Sequence, residues 1–90
     1  MAVSMCIPRV EQNLDLDYVK EKINSLNIGY VKQIRGVTLK NDPDFKRILL
    51  RFKWKNNNNL SITLQKQLDE LGSLKVVHNM PWYWKIVLAQ

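Results

Sequence analysis

Cysteine is almost missing from this sequence. Cys6 stands alone, which excludes an internal disulfide, and with His78 the one histidine no Cys/His cluster has the spacing of a metal site. Cys6 has no histidine nearby in sequence to activate it as a nucleophile, and no carboxylate pair flanks His78 for acid and base work. The glycines Gly29, Gly36 and Gly72 are isolated, so there is no glycine-rich loop to cradle phosphates. No apolar run approaches the roughly 20 residues that span a bilayer, and no charged region followed by an apolar signal core opens the chain. The expectation is a non-enzymatic domain without cofactor or metal, neither exported nor membrane-inserted, that works inside a cell.

Acidic charge is also scarce. Eight Asp and Glu stand against fourteen Lys and Arg, a net charge of +6, and that balance favours anionic partners. A solvated, merely basic surface is the plainer explanation of the same charge. Ninety residues, 46% of them hydrophobic and 24% charged, are enough for one core and too few for two, so residues 1–90 should form a single domain.

The most informative stretch is Phe45 to Lys55, FKRILLRFKWK. Its alternation puts Ile48, Leu50 and Phe52 on one side of a strand and Arg47, Leu49, Arg51 and Lys53 on the other. Around it, Val3, Met5 and Ile7 alternate in a first strand stopped by Pro8. A helix capped by Asp15 carries Val19, Ile23 and Leu26 on one side and ends at Asn27 and Gly29. Tyr30 to Leu39 reads as a second strand that lies near a sheet edge, with Gly36 at a bulge or close approach. Residues 40–44 form a turn-rich loop before the third strand.

The asparagines 56–59 form a solvated loop whose last member caps a second helix. Leu64, Leu68 and Leu71 line that helix, and Gly72 stops it. Leu74 to Val77 is a fourth strand with Leu74 and Val76 inward. The order β-α-β-β-α-β predicts an α+β, ferredoxin-like plait: a four-stranded antiparallel sheet with two helices on one face, its core within residues 3–78. The C-terminal extension, residues 79–90, is apolar enough to pack back on the domain, as an extra strand or across the sheet face.

In that order of elements, the chain resembles the RNA recognition motif, whose first and third strands carry aromatics that stack bases. Met5 to Val10 lies on the family's first-strand hexamer and puts Cys6 in the aromatic's place. Phe45 to Phe52 lies on the third-strand octamer and puts Arg47 and Leu49 at its stacking positions. The strings CIPRV, FKWKNNNN and PWYWK are similar to those of short single-domain proteins of recognition-motif type from large DNA viruses. The resemblance implies a binding protein, placed in host cytoplasm, virus factory or virion.

The candidate nucleic-acid-binding residues are Arg35, Arg47, Leu49, Arg51, Lys53, Lys55 and Lys75 on the sheet face and its loops. Trp82 and Trp84 are candidate stackers beside Lys75 and Lys85. Anchoring the extension to the core is the weightier role for those tryptophans. The expected partner is nucleic acid, RNA ahead of DNA, bound electrostatically. The alternative is a protein partner or self-association through Leu49, Val77 and residues 82–88.

Overall fold

The computed structural model describes residues 2–79 and 82–89, with the side chains of His78, Asn79 and Trp82 outside that description. The chain forms β1 (Ala2–Glu11), α1 (Leu16–Ser25), β2 (Gly29–Leu39), β3 (Asp42–Trp54), α2 (Asn59–Leu71), β4 (Ser73–Asn79) and β5 (Trp82–Leu88). The strands make one sheet in the order β2-β3-β1-β5-β4, and every neighbouring pair is antiparallel. The fold is therefore α+β with two helices and five strands. The expectation of four strands is corrected, because residues 82–88 enter the sheet between β1 and β4. The predicted fourth strand is displaced to the edge.

Alternation decides which face becomes core. Met5 and Ile7 on β1, Ile48, Leu50 and Phe52 on β3, Leu74 and Val76 on β4, and Trp84 and Ile86 on β5 are all buried. They form a single cluster with Val19 and Ile23 of α1 and Leu68 of α2. Both helices thus cover the same side of the sheet, α1 toward β2 and α2 toward β4. The opposite side carries no helix.

Local chemistry sets the boundaries. Asp15 caps α1, its carboxylate accepting from the Asp17 N–H at 2.9 Å, as expected. Asn58, rather than Asn59, caps α2: its side chain accepts from the Ser61 N–H at 2.7 Å, and Asn59 is already helical. Gly72 ends α2 in the left-handed conformation at φ 74, and the turn after α1 is made by Asn27 at φ 59. Gly29 opens β2 instead of ending the helix. A Cβ there would lie 2.2 Å from the Lys53 carbonyl oxygen and 2.6 Å from the Phe52 ring, so only glycine admits that approach.

Two strands outrun their expected limits. β1 continues past Pro8 to Glu11 because the ladder to β3 shifts register between Ile7 and Val10. Pro8 falls in that bulge, where its missing N–H costs no ladder bond. β3 starts at Asp42, which pairs with Leu39, so the expected five-residue loop shrinks to the turn at Lys40 and Asn41. Gly36 lies at a close approach rather than a bulge: a Cβ there would be 3.1 Å from Cδ of Lys46. Lys46 runs along the helix-covered face, only 8% exposed, and its ammonium donates to the Leu14 carbonyl at 2.6 Å.

Candidate nucleic-acid interface

The helix-free face can be read in rows, since residues paired across antiparallel strands project to the same side. Tyr30 lies beside Lys53 and Ala2, and Gln33 beside Arg51 and Ser4. The central row is Arg35, Leu49, Cys6, Val87 and Ser73. Val37 lies beside Arg47 toward the β2 edge of this face, with Lys85 beside Lys75 and Tyr83 beside Val77 toward the β4 edge. The expected face residues Arg35, Arg47, Leu49, Arg51, Lys53 and Lys75 are thus brought together on one surface.

Charge is unevenly spread over the sheet. The acidic residues of the chain are Glu11, Asp15, Asp17, Glu21, Asp42, Asp44, Asp69 and Glu70. They belong to α1 and its cap, to α2, and to the end of the sheet where β1 finishes and the β2–β3 turn lies. None falls in the rows from Lys53 to Arg47 or on the face of β5 and β4, but Glu11, paired with Phe45, lies on the same helix-free face one row beyond Arg47. Among the described residues the one ion pair is Arg9 with Asp42, at 2.6 Å, and Arg9 also lies 3.9 Å over the Phe45 ring. The side chains of Arg35, Arg47 and Arg51 make no hydrogen bond or ion pair within the described residues. Cations that outnumber the carboxylates on a shared face raise the potential above it.

The centre of the face is apolar and tight. Cys6 points to the helix-free side as expected, yet it is only 7% exposed, closed over by its neighbours. Burial pushes its thiol above the ordinary value of 9.0, while the nearby Arg47 guanidinium pulls it down and only partly offsets the effect. Such a thiol stays protonated at neutral pH. Among the described residues no group of His, Cys, Asp and Glu is arranged to hold a metal ion, and no helix is long and apolar enough to cross a membrane.

The aromatic candidates are redistributed. Trp84 is 6% exposed and meets Tyr18 of α1 edge-on at 6.0 Å, so it is an anchor of β5 and leaves the binding surface. Trp54 likewise packs edge-on against Phe52 at 5.0 Å. The Trp82 side chain lies outside the described residues. Instead the face presents Tyr83, 49% exposed, and Tyr30, 54% exposed. Lys75 Nζ lies 5.0 Å from the Tyr83 ring centroid, and Lys55 Nζ lies 5.2 Å from that of Tyr30. Lys55 does not simply extend the stripe, for its ammonium also donates to the Asn27 side chain. The signal for Tyr83 was present in its parity with Trp84. For Tyr30 it was the parity with buried Val31.

On the same face, Ser4, Gln33, Arg35, Leu49, Arg51 and Ala89 surround a shallow basin of about 480 Å³, with Met5 and Leu50 beneath. The Ala89 N–H donates to the Ser4 carbonyl at 3.0 Å and closes its rim. No family model matches this chain, and neither a curated protein nor a solved structure matches it.

Proposed function

We propose that this chain is a non-enzymatic binding domain that takes single-stranded nucleic acid, RNA ahead of DNA, on its helix-free sheet face. The observation that carries this reading is the excess of positive charge: Arg35, Arg47, Arg51, Lys53, Lys75 and Lys85 share one surface, with the carboxylate of Glu11 set at its end beside Phe45. A phosphate backbone supplies the acceptors those donors lack, and release of its counterions drives binding. Tyr30 and Tyr83 offer flat, exposed rings at opposite corners for base stacking, in place of the recognition-motif aromatics whose positions hold Cys6, Arg47 and Leu49. In fold terms the proposal is a plait relative in which β5 takes the place beside β1 and β4 is added outside it.

The test is a fluorescence anisotropy titration with single- and double-stranded RNA and DNA at two salt concentrations. The expected result is salt-sensitive binding, strongest for single strands, that drops at least tenfold in Arg47→Ala plus Arg51→Ala with an unchanged circular dichroism spectrum. Equal binding by that double variant would remove the sheet face from consideration.

A second reading, contact with a protein or with another copy, draws on the exposed Val77 on the outer strand β4, whose one partner in the sheet is β5. Light scattering across a concentration series separates it, since a constant monomer mass rules out self-association.

A further inference from the structure

Resting on that reading, we infer that the basin bounded by Arg35 and Arg51 is the fixed point of the interface. It holds one phosphodiester of the strand together with the ribose attached to it. The remainder of the face then supplies diffuse attraction.

The argument begins with what the basin contains. Arg35 on β2 and Arg51 on β3 flank Leu49, and Arg51 lies in the row of Gln33 and Ser4. Two guanidiniums offer only donors, in a planar fork that matches phosphate oxygens, and nothing else within the described residues satisfies them. Gln33 and Ser4 differ in kind. An amide and a hydroxyl each donate and accept, which is what a sugar hydroxyl needs from its neighbours and what a phosphate does not. Neither side chain makes a hydrogen bond within the described residues.

Shape supports the same assignment. The volume of about 480 Å³ falls in the range of small-ligand sites, roughly 300–1,000 Å³, whereas a flat cationic sheet would have no basin. Leu49 and Ala89 supply an apolar wall against which a sugar ring can lie. Lys75 and Lys85, at the other end of the face, have no such surroundings; they adjoin each other, Tyr83 and Val77. The 2′-hydroxyl is the group by which a protein separates RNA from DNA, so the preference for RNA is placed at Gln33 and Ser4.

The experiment titrates the full chain and its variants with a single-stranded RNA and the DNA of the same sequence, each at two salt concentrations. Arg35→Ala and Arg51→Ala are each expected to weaken RNA and DNA alike by roughly tenfold and to lower the salt slope by about one phosphate. Gln33→Ala and Ser4→Ala should reduce RNA binding alone, bringing it toward the DNA value at unchanged salt slope. Lys85→Ala, outside the basin, should cost about threefold or less on both strands. The inference is overturned if Arg35→Ala and Arg51→Ala cost no more than Lys85→Ala, or if Gln33→Ala and Ser4→Ala change RNA and DNA equally. Absence of binding by the unaltered protein at low salt would instead overturn the proposed function itself, and this inference with it.

Discussion

Gly29 is the residue whose replacement the fold tolerates least for its size. Gly29→Ala would drive a methyl group into the Lys53 carbonyl and the Phe52 ring, and an expected loss of about 3 kcal/mol, the upper range for overpacking, can be read from urea unfolding. Cys6 gives a prediction in pH. Its folded thiol titrates above 9.0 because burial disfavours the thiolate. The stability from burying a neutral thiol is therefore complete below 9.0 and is lost as pH rises through the higher folded value. Alkylation of native protein should consequently have a pH midpoint above 9.0, and Arg47→Ala should move it further up by removing the cation that favours the thiolate. The midpoint is the readout because it separates charge from access, which the rate alone does not. An unshifted midpoint in Arg47→Ala would show that the guanidinium does not act on Cys6.

At the scale of elements, two contrasts are measurable. Asn58→Ala should cost about 1 kcal/mol as a lost N-cap, and its side chain also donates to the Asn27 carbonyl at 2.8 Å. Asn59→Ala, one residue inside the helix, should be close to neutral or slightly stabilising because alanine is the better helix former. Four consecutive asparagines made the cap ambiguous in sequence, and the choice rests on where the backbone turns extended: Asn58 has φ −137 and ψ 149. The other contrast concerns β5. Trp84→Ala should destabilise by roughly 3–5 kcal/mol because Trp84 ties an interior strand to α1, whereas Tyr83→Ala, on the open face, should leave stability nearly unchanged and weaken nucleic-acid binding. Equal unfolding midpoints for the two variants would contradict the opposite placement of these neighbours.

For the molecule as a whole, the excess of cations on the open face sets the strength and salt dependence of the proposed binding more than any one residue does. With roughly −0.7 in log affinity per log salt for each neutralised phosphate of a single strand, four to six contacts on this face correspond to a slope of about −3 to −4. A slope near zero would mean that the sheet face does not meet the backbone. Most of this face was legible in advance. Alternation along Phe45 to Lys55 is sufficient to place Arg47, Leu49 and Arg51 together, since a strand with one apolar side has one register that buries it. The basin was not legible, because its members come from β1, β2, β3 and the residue after β5, and only pairing between strands makes them neighbours.

Sequence by itself determined the helices, their capping residues to within one position, the core-facing side of the first, third and fourth strands, and the excess of positive charge. These follow from short-range periodicity and from which residue types satisfy a helix end. Tertiary structure decided the place of residues 82–88, the inward turn of Trp84 and the exposure of Tyr30 and Tyr83. It also decided that the acidic residues fall outside the rows from Lys53 to Arg47, with Glu11 at the end of the open face. Strand order is a long-range choice: β5 gains two neighbours by entering between β1 and β4, whereas an apolar segment laid across the sheet would gain none. That choice left one face uncovered, and the cations already placed on it by alternation became a surface.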